Sequence, residues 1–125
     1  MATVNETLTL IEDRPRANEV YSWTPLTAAN AIGRALLTGQ MTDRSVQLFG
    51  TPDSATTIIE GSNDGTNWVT LTEPDGTALS FSAGEVTAGA IKQVSERTVY
   101  TRPSSSGGGG AQSLTVLHFG SRWKS

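Results

Sequence analysis

Residues 55–72, Ala-Thr-Thr-Ile-Ile-Glu-Gly-Ser-Asn-Asp-Gly-Thr-Asn-Trp-Val-Thr-Leu-Thr, restrict the fold more than any other stretch of the chain. Two runs rich in β-branched residues and tryptophan enclose Ser62-Asn63-Asp64-Gly65-Thr66-Asn67, which supplies the positive-φ and side-chain-capped positions a tight reversal needs. The pattern predicts a β-hairpin with its turn in water. Thr, Ile, Val and Trp suit a pleated, half-buried surface, so the rest of the chain is expected to supply strands that cover this hairpin.

Short alternating runs recur along the sequence, separated by Gly, Pro, Asn and Asp. Residues 19–26 predict a strand with Val20, Ser22 and Thr24 on one face and Tyr21 and Trp23 on the other; Pro25 marks its end or a sheet edge. Residues 27–37 read as a loop and a short strand, because Asn30 and Gly33 weaken the helix that Thr27 could cap. Residues 44–51 predict a strand with Val46 and Leu48 inward, and residues 77–82 one with Leu79 and Phe81 on a common face. Residues 83–89 are small and polar, hence a connection. Residues 91–94 and 98–102 read as a strand pair or one bent strand, and Pro103 with the serines and glycines up to Gly110 reads as an exposed loop. Residues 113–119 close the domain; their outer half is apolar on both faces and needs cover from a second layer or another subunit.

These elements predict an all-β chain, an antiparallel β-sandwich of jelly-roll type with an N-terminal arm. The expected divisions are an arm at 1–18, the sandwich at 19–122 and a C-terminal tail at 123–125. The arm either pairs as an edge strand of its own domain or reaches onto a neighbouring subunit.

A chain of 125 residues supports one core. Its net charge is -3 and its nine Lys and Arg are scattered, so it lacks the basic footprint of a nucleic-acid binder. The start of the chain lacks the basic-then-apolar order of a secretory signal, and no apolar run approaches the ~20 residues of a membrane span. Neither nucleic acid nor membrane is therefore an expected partner, and synthesis in a cytoplasm is expected. There is no cysteine, which removes disulfides and thiolate metal sites.

Catalysis lacks parts. His118 is the only histidine, with no cysteine and no Gly-x-Ser-x-Gly elbow to accompany it, and it reads as a structural or surface residue. Asp53, Asp64 and Asp75 fall in turn sequences, where aspartate bonds nearby backbone amides. The stretch 60–65 has the alternating oxygen side chains of a calcium loop, but Leu71 stands where the closing acid belongs. No enzyme activity, metal or cofactor is expected. Trp23 and Trp68 read as core or sheet-face residues of strands. Trp123, between Arg122 and Lys124 beyond the last strand, faces either a partner or the sandwich rim. Candidate contact residues are Arg14 and Arg16 of the arm, Leu117 and Phe119 of the last strand, and Arg122 and Trp123 after it.

Asp43-Arg44-Ser45-Val46-Gln47-Leu48-Phe49-Gly50-Thr51 followed by residues 59–71 resembles small structural proteins of tailed bacteriophages. The likeness extends from Trp23-Thr24-Pro25-Leu26 to Thr101-Arg102-Pro103 and Leu114-Thr115-Val116. It implies a head decoration, or cement, protein with a jelly-roll fold. Such a protein would bind the major capsid protein on the outer surface of the virion head and self-associate as a dimer or trimer. Gly-Ser-Asn-Asp-Gly-x-x-Trp-x-x-Leu is also similar to discoidin-like, galactose-binding sandwiches. The alternative it implies is a carbohydrate-binding module of a tail or fibre, with Asn63, Asp64, Asn67 and Trp68 touching sugar.

Overall fold

The computed structural model describes residues 3–13 and 16–123, with residues 9–13, 16, 17 and 123 described by backbone alone. The described residues form β1 (Glu6–Asp13), β2 (Arg16–Leu26), β3 (Leu36–Leu37), β4 (Thr42–Thr51), β5 (Thr56–Ser62), β6 (Val69–Thr70), β7 (Ser80–Phe81), α1 (Ala83–Ala88), β8 (Ala90–Gln93), β9 (Tyr100–Ser106) and β10 (Ser113–Trp123). One sheet has the order β1-β2-β10-β4-β8 and the other β3-β9-β5-β6, with β7 also on β5. Every strand pairing is antiparallel. The architecture is an all-β, two-sheet antiparallel sandwich.

Period-two alternation decides which side chains meet between the sheets. Trp23, Val46, Leu48, Leu114 and Val116 from the first sheet bury against Ile59, Leu71, Leu79, Phe81 and Val94. The predicted hairpin is β5–β6, with Glu60 opposite Thr70 and Gly61 opposite Val69. Gly61 is required there, because a Cβ would lie 2.6 Å from Leu71 Cδ2 and 2.7 Å from Thr98 Oγ1.

Four local expectations are corrected. Residues 103–106 are strand, with Pro103 and Ser105 buried. Their small side chains let the connection 31–33 lie directly on β9, where Gly33 N–H donates to the Pro103 carbonyl (2.9 Å) and Ser105 N–H to that of Ala31 (2.9 Å). Residues 83–88 form a helix, started by a capping box in which Ser82 and Glu85 accept each other's backbone N–H, and anchored by buried Val86. Strands β8 and β9 belong to different sheets and do not pair. Trp68 precedes β6 in the loop. The residues read as an arm hold β1, the outer strand of the first sheet, with Glu6 opposite Trp23 and Asp13 opposite Ala17.

A polar cluster crosses the apolar core. Arg44 is 2% exposed; its guanidinium donates to Thr101 Oγ1 (2.7 Å) and to the Glu96 carbonyl, and lies 3.4 Å from His118 Nε2. Burial lowers the Arg44 pKa to about 10, still cationic at neutral pH. Thr38 Oγ1 joins through Thr101 Oγ1 (2.8 Å) and the Thr98 carbonyl (2.7 Å). The His118 ring meets Trp23 edge-on at 6.4 Å, and its Nδ1 is buried without a hydrogen-bond partner. Burial, then the Arg44 charge, push the imidazole pKa down to about 3.

A histidine held neutral in the fold takes up its proton only on unfolding. Between about pH 6.5, the ordinary histidine value, and about pH 3 the unfolded chain therefore carries the extra proton, and stability falls as pH drops. This group can account for about 1.4 kcal/mol per pH unit. Asp64, Asp75 and Glu85 are held below the usual carboxylate range by the Asn67 and Thr66 amides, the Thr77 amide and Lys92 respectively. Their contribution is lost only below about pH 4, where free carboxylates titrate. The urea midpoint should thus drop between pH 6.5 and 4.5 in the natural chain and stay flat over that window in His118→Leu. An equally steep drop in the variant would remove His118 as the cause.

Candidate functional site

The β5–β6 turn is built from its own side chains. Asp64 accepts the N–H groups of Thr66 and Asn67 (2.8 Å each), the Asn67 amide (2.7 Å) and the Ser62 hydroxyl (2.9 Å). Both carboxylate oxygens are therefore engaged in shaping the turn. A cleft of about 450 Å³ beside it is lined by Asn63, Asp64, Val69, Thr70, Glu96 and Thr98, among others. The Glu96 carboxylate accepts the Thr72 N–H (2.8 Å) and hydroxyl (2.5 Å). The Trp68 ring is covered by the Arg102 guanidinium at 4.0 Å, which Glu60 holds at 3.1 Å. That indole face is taken up by the protein's own cation and is closed to a sugar ring.

The outer face of the first sheet has a different character. Because β10 sends Leu114, Val116 and His118 inward, Thr115, Leu117 and Phe119 stand on the other side. The register puts Val20 and Ser45 beside Phe119, Ser22 and Gln47 beside Leu117, and Ile91 beside Gln47. Thr24 and Thr115 join hydroxyls across the same face (2.8 Å). Phe49 and Ile91 are 43% and 65% exposed. From Val20 to Thr24 on β2, Thr115 to Phe119 on β10, Ser45 to Phe49 on β4 and Ile91 to Gln93 on β8, no residue on this face is charged. Charges begin at its rim, with Asp43 near the start of β4 and with Glu73, Asp75 and Lys92, which share a depression with Ser45, Ile91 and Gln93 at the β8 edge.

A groove of about 390 Å³ opens at the end of the sandwich nearest the β1–β2 connection, lined by Glu19, Tyr21, Leu37, Met41, Val99 and Arg122 with Gly39 and Gln40. Glu19 is 2% exposed and accepts two bonds from Arg122, Nε to Oε1 at 3.0 Å and Nη2 to Oε2 at 2.9 Å. Burial, then Glu19, raise the Tyr21 pKa. The groove's apolar walls stand in solvent, Leu37 at 66% and Val99 at 38% exposure. Gly120 makes the approach possible: a Cβ there would sit 2.7 Å from Met41 Sδ.

Five of the six sequence candidates fall in two places. Leu117 and Phe119 share the uncharged face, half-buried. Arg122 lines the groove, and the backbone sets Trp123 opposite Arg16 and Arg122 opposite Ala17 at the same end of the sheet. Arg14 lies outside the described residues, and the side chains of Arg16 and Trp123 do too. Sequence reasoning passed over Val20, Phe49, Ile91, Leu37, Val99 and Glu19. Strand parity could have found Val20 and Phe49, which alternate with Trp23, Val46 and Leu48. Nothing in the sequence couples Glu19 to Arg122.

Among the described residues no group of three or more His, Cys, Asp and Glu is placed to hold a metal ion, and no helix is long and apolar enough to cross a membrane. No family model matches the chain, and no curated protein matches it. Among solved structures it is similar to iron(II) HppE in complex with substrate, at 11% identity and TM-score 0.33, over 92% of this chain and 52% of that one. It is also similar to CapF with the inhibitor 3-isopropenyl-tropolone, at 9% identity and TM-score 0.30, over 95% of this chain and 30% of that one. A third is the carbohydrate-binding module CBM6cm-2 from Cellvibrio mixtus lichenase 5A in complex with cellotriose, at 4% identity and TM-score 0.26, over 96% and 88%. The chain thus spans about half the length of the HppE chain. Likenesses this loose carry no argument about function, and none of the three is described as a virion protein.

Removing Arg122 leaves the Glu19 carboxylate buried without its counter-ion, while removing both partners leaves no stranded charge. Arg122→Met should cost about 2 kcal/mol, a buried-pair loss discounted for the partial exposure of Arg122. Glu19→Gln combined with Arg122→Met should recover at least half of it in urea unfolding. Equal costs for the single and double variants would mean that the pair does not act as a unit.

Proposed function

We propose that this protein is a non-enzymatic capsid decoration, or cement, protein of a tailed bacteriophage, binding the outer surface of the assembled head where major capsid protein subunits meet. The proposed winding is a jelly roll. Setting β1 and the two-residue β7 aside, the first remaining strand pairs with the last (β2 with β10), and the pairing nests inward through β3 with β9, β4 with β8 and β5 with β6. That nesting is what a long antiparallel ribbon folded over on itself produces, and it supports the reading.

The observation that carries the proposal is the groove lined by Glu19, Leu37, Val99 and Arg122. Leu37 and Val99 expose apolar walls around the ion pair that partly exposed Arg122 makes with buried Glu19, next to strand ends whose backbone brings Arg16, Arg122 and Trp123 together. Exposed apolar walls with a charged rim fit a protein surface: apolar area supplies affinity and the rim sets orientation. A rigid sandwich loses little conformational entropy on docking, which suits a clamp bridging subunits.

The carbohydrate-binding alternative would use the cleft beside the β5–β6 turn, where Asn63, Asp64, Asn67 and Glu96 favour it within a lining whose exposed area is mainly apolar. Against it stand the covered Trp68 ring and the fully engaged Asp64. Incubation with purified phage heads followed by sedimentation separates the readings. The chain should pellet with heads, and Leu37→Asp combined with Val99→Asp should weaken binding more than tenfold at unchanged melting temperature. Saturable sugar binding on a glycan array, with no pelleting, would replace this proposal by the alternative.

A further inference from the structure

The uncharged outer face of the first sheet is a surface separate from the groove. We propose that a second copy of this chain covers it, with the two five-stranded sheets stacked back to back about a two-fold axis running along the strands between β10 and β4.

Charge selects this occupant. The molecule has a net charge of -3, so two copies repel wherever charged surfaces meet. The strand residues of this face are uncharged from β2 across to β8, with Glu73, Asp75 and Lys92 bordering its β8 edge, and an isologous contact requires a patch to complement itself. An uncharged patch does so without placing like charges together, whereas a partner of opposite charge would find nothing here to pair with. Depletion of charge with exposed Phe, Leu and Ile is also the composition of an interface core.

Shape agrees. A shallow dimple of about 90 Å³ opens across this face, lined by Val20 from β2, Leu117 and Phe119 from β10, Ser45 and Gln47 from β4 and Ile91 from β8. A two-fold axis between β10 and β4 sets Leu117 and Phe119 of each copy against Gln47 and Ser45 of the other. Four strands, β2 to β8, make the uncharged face about 19 Å wide, and about 20 Å of strand length gives it about 400 Å², roughly half the ~800 Å² per partner of a standard stable interface, so the contact is a weak one. Dimerisation should accordingly depend on concentration.

The proposal is independent of the head-binding reading, so it is tested on the full chain with no heads present. Sedimentation equilibrium from low to several hundred micromolar should show a monomer–dimer equilibrium. Ile91→Lys, at a position already 65% exposed, should weaken it at least tenfold at unchanged melting temperature. The chain lacks cysteine, so a mixture of Ser45→Cys and Leu117→Cys proteins should give more disulfide-linked heterodimer than a mixture of Ser45→Cys and Thr66→Cys proteins, Thr66 being exposed in the β5–β6 turn of the other sheet. A monomer at every concentration, a trimer, or a dimer indifferent to Ile91→Lys would overturn the proposal.

Discussion

A guanidinium lodged between two sheets is the constraint to which the core of this protein answers. Isolating a charge from water is expensive, and Arg44 meets that cost with the Thr101 hydroxyl, the Glu96 carbonyl and the neighbouring His118 imidazole, aided by the negative charge of the Glu96 carboxylate. These groups come from β9, from the connection between β8 and β9, and from β10. Thr38, in the turn after β3, is drawn in through Thr101. One side chain thus has partners in both sheets and in the chain between them. Apolar contact alone tolerates sliding; directional bonds to Arg44 do not, and they set the spacing and register of the layers.

That constraint also places the surfaces. With His118 turned inward against Arg44, strand alternation leaves Leu117 and Phe119 on the opposite face of the central strand. Two residues on, Gly120 lets β10 pass Met41 closely enough to carry Arg122 over Glu19. The uncharged face and the groove are therefore two outputs of one strand. A register slip of one residue along β10 would bury Leu117 and Phe119 and expose His118.

What the sequence made legible was local and periodic. Val46 with Leu48, Leu79 with Phe81, and the reversal between Ile59 and Leu71 all follow from alternation and turn chemistry acting over a few residues. Illegible features depended on partners far along the chain. Pro103 and Ser105 read as loop because small side chains promise little burial, yet their smallness is what admits the 31–33 segment. The helix hid because a capping box in an Ala-Gly context resembles a turn until buried Val86 anchors it. Glu19 and Arg122 are separated by most of the sequence, and only the pairing of β2 with β10 reveals them as neighbours.

The two surfaces have a geometric relation that bears on how such a molecule could act on a shell. A two-fold axis along the strands leaves the strand direction unchanged, so in the proposed dimer both grooves lie at the same end. An axis across the strands would send them to opposite ends and allow only one to meet a given surface. With both grooves aimed the same way, the second contact forms at the effective concentration set by the first, and modest single-site affinity suffices for firm attachment. If the grooves bind a shell as proposed, that gain would hold only where the shell repeats its binding site at the spacing of the two grooves. Selectivity for an assembled lattice over free subunits would then come from the distance between sites, with no conformational switch in either chain.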